Sequence, residues 1–245
     1  MYRLSIGLAL LVLTACSQAL VRQAPMQAQA CPAPVVAPAP APAAPTPPPP
    51  SYPSVPVPVQ EVPVDKDHRL VKIETNFGDM VVQLDATRAP LSVKSFLTYA
   101  KEHYYDGSSF YRVVPGFVIQ GGDFTSDLSY HKPKHPPVPD EAGNGLSNLR
   151  GSFAMARDDY PHSGNATFYI NLVDNRKLDP RPDRWGYAVF GQVVEGMDVV
   201  DKIAAVATHT VSFMQPNLQE YNDVPVQPVK IIKISLLPLP GTAKP

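Results

Sequence analysis

The C-terminal three quarters of this chain contain no cysteine. Both cysteines among the 245 residues, Cys16 and Cys31, precede residue 66, so the region beyond can have neither a disulfide nor thiol chemistry. Net charge is almost absent as well, with 21 Lys and Arg against 22 Asp and Glu. No bulk field therefore selects nucleic acid or another polyanion as partner. A bilayer-spanning helix takes roughly 20 apolar residues, and the apolar run Leu4–Leu13 is too short for that. There is no internal repeat. His131 and His135 are interleaved with prolines and lysines, with no third ligand type at a supporting position. They read as a solvated loop rather than a zinc site, and His162 and His209 read as surface or loop residues.

Proline is abundant: 30 residues, fifteen of them between Pro25 and Pro63. Proline removes backbone donors and clashes within helices, and the apolar side chains of 16–66 are mostly small. The segment is expected to be an extended polyproline II spacer rising about 3.1 Å per residue. Before it, Arg3 and the short apolar run have the form of an export signal. "LTAC" at 13–16 resembles a bacterial lipobox, which would make Cys16 a lipid-bearing mature N-terminus. An ordinary signal peptide with a chance cysteine is the alternative. Ser17 is not the aspartate associated with inner-membrane retention, which points to the outer membrane. The expected organisation is a signal peptide at 1–15, a linker at 16–66, one folded domain at 67–240 and a tail at 241–245.

Within the domain, "RLVKIETNFGDMVVQLD" alternates around Asn76–Asp79 as a β-hairpin does. Val93, Phe96, Leu97, Ala100 and Tyr104 recur at helical spacing between Pro90 and Gly107. Met197, Val200, Ile203 and Ala204 mark a second helix. Strands are expected at about 110–114, 117–121, 152–156, 167–171 and 188–194, with a last one in "VKIIKISLLP". Many short strands with two helices predict a closed β architecture whose ends the helices cover.

The stretch "SSFYRVVPGFVIQGGDFTSD" (108–127) puts one cation, Arg112, among aromatic and β-branched residues. It has no Ser/His/Asp set, metal cluster or phosphate loop. "FYRVVPGFVIQGGDF" resembles the signature of the cyclophilin family of peptidyl-prolyl cis–trans isomerases. The likeness continues through "DEAGNGLSNLRG", "GSFAMARDD", "TFYINLVDN" and "WGYAVFGQVVEGMDVVDKI", spans roughly 70–238, and is greatest to the bacterial periplasmic branch. The resemblance implies a mainly β fold, a closed eight-stranded antiparallel barrel capped by two α-helices. It also implies isomerisation of X-Pro bonds in exported polypeptides by a monomer needing no metal, nucleotide or other cofactor.

By that resemblance Arg112 is the catalytic arginine, Phe117 floors the proline pocket, and Gln120 holds Arg112 and the substrate backbone. Val118, Phe168, Leu178 and Tyr187 belong to the substrate-binding surface. Ala156 and Arg157 form the edge that pairs with the peptide backbone. Gly121 and Gly122 permit a tight backbone path. Two departures from the family pattern bear on turnover: Thr167 stands where glutamine is usual and Tyr169 where phenylalanine is. A hydroxyl in an apolar pocket is costly unless paired, so a peptide-binding or chaperone module with weak turnover is the alternative function. Lys177 replaces the tryptophan of cyclosporin-sensitive members, which predicts weak cyclosporin binding.

Overall fold

The computed structural model describes residues 65–215 and 217–239. The expected signal peptide, Cys16, Cys31, nearly all of the proline-rich linker and the 241–245 tail lie outside the described residues. Among these residues ten strands and two α-helices follow in the order β1 (Leu70–Thr75), β2 (Gly78–Leu84), α1 (Pro90–Lys101), β3 (Arg112–Val114), β4 (Val118–Gly121), β5 (Ser152–Met155), β6 (Phe168–Asn171), β7 (Val189–Glu195), α2 (Met197–Ala204), β8 (Thr208–Gln215), β9 (Asn217–Pro225) and β10 (Ile231–Leu236), with one 3-10 turn at Arg176–Leu178.

Eight strands form one antiparallel sheet, ordered β10-β1-β2-β7-β5-β6-β4-β3. The sheet curls into a half-barrel and does not close as a ladder, which corrects the closed barrel expected from the sequence. Its two end strands, β10 and β3, are not paired as strands. β3 is only three residues long, and the chain just before it takes over the junction. Phe110 N–H donates to Val229 C=O at 2.9 Å, Gly107 N–H to Ile231 C=O at 2.9 Å, and Ile231 N–H to Ser108 C=O at 2.8 Å. These bonds satisfy the backbone at the seam without a regular strand pair.

The inner face of the sheet is an aromatic and aliphatic core completed by the helices. α1 turns Val93, Phe96, Tyr99 and Ala100 inward. Phe96 lies 5.2 Å from Phe153, 5.7 Å from Phe168 and 5.7 Å from Phe190, centroid to centroid. Pro90 opens the helix, where its missing N–H is no loss. The Glu141 carboxylate, fifty residues on, accepts from the Leu91 and Ser92 N–H groups at 3.0 and 2.8 Å. That distant carboxylate does the work of the absent side-chain cap and complements the helix dipole. α2 buries Val199, Val200, Ile203 and Ala204.

β8 and β9 form a separate two-stranded ribbon that the sequence reading did not anticipate. It carries His209, exposed as expected, on a strand. Tyr221 on β9 packs edge-on against Tyr111 at 6.2 Å and Phe124 at 5.6 Å, so the ribbon abuts β3. The other loop histidines have specific partners. His131 stacks on Tyr104 at 3.9 Å, and the His135 ring meets the Glu102 carboxylate at 2.9 Å.

Candidate active site

Strand register assembles the site. Arg112 pairs with Gln120 across β3 and β4, Gln120 with Tyr169, Tyr169 with Ala154, and Ala154 with Val189. Directly paired residues share a face of a sheet, so these five side chains form one row over five strands. Their alternating neighbours Val113, Ile119, Phe153 and Phe190 belong to the interior. The outer row continues into a second apolar cluster of Val118, Ala154, Tyr169 and Val189, against which Phe117, Leu146, Ala156, Leu178 and Tyr187 pack. A half-buried guanidinium thus stands at one end of an apolar floor.

Phe117 is set by the β3–β4 turn. Pro115 and Gly116 occupy its centre, Gly116 has φ +70°, and Phe117 N–H closes the turn on Val114 C=O at 3.0 Å. Proline followed by a positive-φ glycine is the type II pattern. The Phe117 carbonyl is then held twice, by Leu172 N–H and by Asn175 Nδ2, both at 2.9 Å. Arg112 Nη1 donates to Gln120 Oε1 at 3.2 Å. Gln120 Nε2 in turn donates to the Tyr111 hydroxyl at 2.6 Å, which fixes which end of the amide faces the arginine. Past β4, a Cβ on Gly121 would lie 2.6 Å from Ser109 O, and one on Gly122, at φ +128°, 2.5 Å from Ala166 O. Both glycines therefore serve the backbone path.

One of the residues expected at the site is placed elsewhere. Phe168 points into the core, 4.8 Å from Phe153 and 5.5 Å from Tyr105, because the strand alternation that turns Tyr169 outward turns Phe168 inward. The Thr167 hydroxyl faces the Asp123 carboxyl. Ala156 N–H is already bonded to Thr167 C=O at 3.0 Å. The Arg157 guanidinium lies 4.4 Å over the Tyr187 ring and donates to the Gly186 and Trp185 carbonyls at 3.0 and 3.2 Å. Lys177 Nζ sits 4.6 Å above the Phe117 ring.

The sequence reading missed a buried amide network beneath the floor. Tyr169 donates its hydroxyl to Asn148 Oδ1 at 2.7 Å. Asn148 also accepts from Asn171 Nδ2 at 3.1 Å and donates through its own Nδ2 to Asp179 Oδ1 at 3.0 Å. Asn175 Nδ2 reaches Asn171 Oδ1 at 2.8 Å. The hydroxyl that would be costly in an apolar pocket is therefore paired below it. The available signal was Asn171 ending the apolar strand "FYIN".

Asp123, just after the glycine pair, was also missed. Burial pushes its carboxyl up from the ordinary 3.8 to about 6. The Asp158 charge adds to the shift, while its own backbone N–H and the Thr167 and Tyr111 hydroxyls oppose it. Its Oδ1 has no hydrogen-bond partner among the described residues. The folded protein keeps this proton to about pH 6, whereas the unfolded chain releases it near 3.8. Stability contributed below pH 3.8 is therefore lost as pH rises to about 6, by about 3 kcal/mol. Asp123→Asn should remove that slope. In urea titrations the unfolding free energy of the variant should gain on the wild type between pH 4 and pH 7. A difference that is constant with pH would place the titration elsewhere.

Comparison with known proteins agrees with this geometry. Residues 70–236 match the family described as cyclophilin type peptidyl-prolyl cis-trans isomerase/CLD. A peptidyl-prolyl cis-trans isomerase of Acinetobacter baylyi is 44% identical over 175 residues, 71% of this chain and 88% of that one. Peptidyl-prolyl cis-trans isomerase B of Escherichia coli is 48% identical over 142 residues, 57% of this chain and 86% of that one. The crystal structure of a cyclophilin type isomerase from Cryptosporidium parvum superposes with a TM-score of 0.57 at 22% identity, covering 71% of this chain and 99% of that one, a likeness of fold. With the family matched over the whole half-barrel and relatives well above 30% identity, the chain belongs to the cyclophilin-type peptidyl-prolyl cis–trans isomerases.

Proposed function

We propose that this protein accelerates rotation about X-Pro bonds, with Arg112 as the catalytic residue. The amide C–N bond resists rotation by about 18–20 kcal/mol because resonance gives it double-bond character. Both isomers of an X-Pro bond are accessible, but uncatalysed exchange takes tens to hundreds of seconds. No covalent step is needed. As the amide twists, its lone pair localises on the prolyl nitrogen, and a donor aimed there binds the twisted form better than the planar one. A guanidinium is donor-only and charged.

The observation that carries this reading is the commitment of Arg112 Nη1 to Gln120 beside the apolar floor. That bond leaves the other guanidinium nitrogens for the substrate. Phe117, Val118, Leu178 and Tyr187 would receive the proline ring and exclude water from the rotating bond. With the Ala156 N–H engaged, the Ala156 carbonyl and the Arg157 N–H are the groups we assign to the peptide backbone. The paired Tyr169 hydroxyl removes one of the two grounds for a weak-turnover module.

The signal-like segment and Cys16 support a lipid-anchored domain acting on exported polypeptides at the periplasmic face of the envelope, carried by the proline-rich spacer. Mass spectrometry of the mature N-terminus tests the anchor. An X-Pro peptide isomerisation assay with the full chain tests the activity, and a rate no faster than the uncatalysed one would sink the isomerase reading.

A further inference from the structure

The loop that leaves the pocket wall at Leu178 and returns to it at Tyr187 carries a charge pattern that prolyl rotation does not require. Tyr187 N–H closes its base on Leu178 C=O at 3.0 Å. Its far end folds on itself through Arg181 and Arg184, each N–H bonded to the other's C=O at 2.9 and 3.1 Å. Arg176, Lys177, Arg181 and Arg184 are all exposed. None of the four has an ion-pair partner among the described residues. The neighbouring carboxylates are partly withdrawn. Asp179 Oδ1 is turned to the N–H and Nδ2 of Asn148 at 2.7 and 3.0 Å, and Asp174 Oδ1 accepts from Arg150 N–H at 3.0 Å. Asp183 remains exposed beside the four cations. Lys177 brings one positive charge over the Phe117 ring itself, and Arg112 supplies another across the floor.

We propose that this cationic rim selects X-Pro segments whose flanking residues are acidic. The inference rests on the isomerase reading and names the substrate class for the same pocket. Exposed cations contribute little to folding even when paired, and the contacts made here, Lys177 over Phe117 and Arg184 Nη2 to Asp179 C=O at 3.4 Å, leave the charges uncompensated. Next to an apolar wall they act on whatever chain enters. An acidic residue beside the bound proline meets several cations, each exposed pair contributing a factor of about two to five. A basic residue meets a net repulsion, which the exposed Asp183 lessens but does not cancel. The effect must fade with salt, because the screening length falls from about 10 Å at 0.1 M to about 3 Å at 1 M.

The test uses the full chain and Ala-Pro peptides that differ only in carrying Glu, Gln or Lys on both flanks. Kd and kcat/KM are measured at low salt and near 1 M. The Glu peptide should bind about five- to tenfold more tightly than the Lys peptide at low salt, with Gln between, and the three should converge near 1 M. The double reversal Arg181→Glu with Arg184→Glu should abolish or invert that order. Equal affinities at low salt overturn the proposal, as does an order that persists in 1 M salt or survives the double reversal. An affinity order without any acceleration of isomerisation overturns the isomerase reading instead and leaves the selectivity standing.

Discussion

Arg112→Ala should lower kcat/KM for X-Pro isomerisation by about ten- to a hundredfold, corresponding to the about 1.5–3 kcal/mol of one charge-assisted hydrogen bond. The loss should fall mainly in kcat. The proposed bond to the prolyl nitrogen forms only as the amide twists, so its removal leaves ground-state binding nearly intact. The apolar floor of Phe117, Val118, Leu178 and Tyr187 stays in place and should retain part of the acceleration. Arg112→Lys restores charge but only as a point ammonium without the planar fork. It cannot hold Gln120 Oε1 with one nitrogen and reach the substrate with another, so recovery should be partial. Separate determination of kcat and KM for the three proteins, with circular dichroism to confirm folding, decides the matter. Wild type and Arg112→Ala turning over at the same rate would remove Arg112 from the chemistry.

The parts of this design that could be read from the sequence are those written in local patterns. Alternation marked β1 and β2, and the 3.6-residue period with Pro90 marked α1. The arginine, phenylalanine and glutamine of the β3–β4 hairpin lie within nine residues of one another, so the turn Pro115–Gly116 alone brings them to one face. What the sequence did not reveal depends on contacts between distant segments. The seam between β3 and β10 is decided by which backbone groups meet across more than a hundred residues, and a pattern of short strands cannot say whether they form a ladder. The β8–β9 ribbon has no two-residue Asn-Gly or Asp-Gly turn to announce it. Phe168 and Tyr169 were both drawn to the site because neighbouring aromatics look alike in a motif. Only the pleat separates them, sending one to the core and the other to the floor. Asn171 falls at the end of an expected strand, but polarity is the usual mark of exposure, and nothing local shows that Asn148, Asn171 and Asn175 are buried and satisfy one another.

That network yields the largest effect expected on stability. Asn148 is fully buried. Its side chain serves Tyr169 Oη at 2.7 Å, Asn171 Nδ2 at 3.1 Å, Asp179 Oδ1 at 3.0 Å and the Tyr187 carbonyl at 3.3 Å. Asn148→Ala would remove one partner from each of four groups at once. An orphaned buried donor or acceptor costs about 1–3 kcal/mol. Asp179 keeps the Asn148 backbone N–H at 2.7 Å, and Asn171 Nδ2 keeps Ser152 Oγ at 2.8 Å. The Tyr169 hydroxyl has no such alternative among the described residues, so the total should be about 3–4 kcal/mol, at the upper end for a single substitution. Adding Tyr169→Phe to Asn148→Ala removes the stranded hydroxyl and should restore about 1 kcal/mol. Tyr169→Phe alone should cost about 1 kcal/mol, since Asn148 Oδ1 retains Asn171. Denaturant unfolding of the two single variants and the double variant closes a cycle with a coupling near 2 kcal/mol. Additivity would show that hydroxyl and amide are independent. The same cycle should appear in KM, because Asn148 joins the floor at Tyr169 to the wall at Tyr187 and, through Asp179, to the base of the cationic loop.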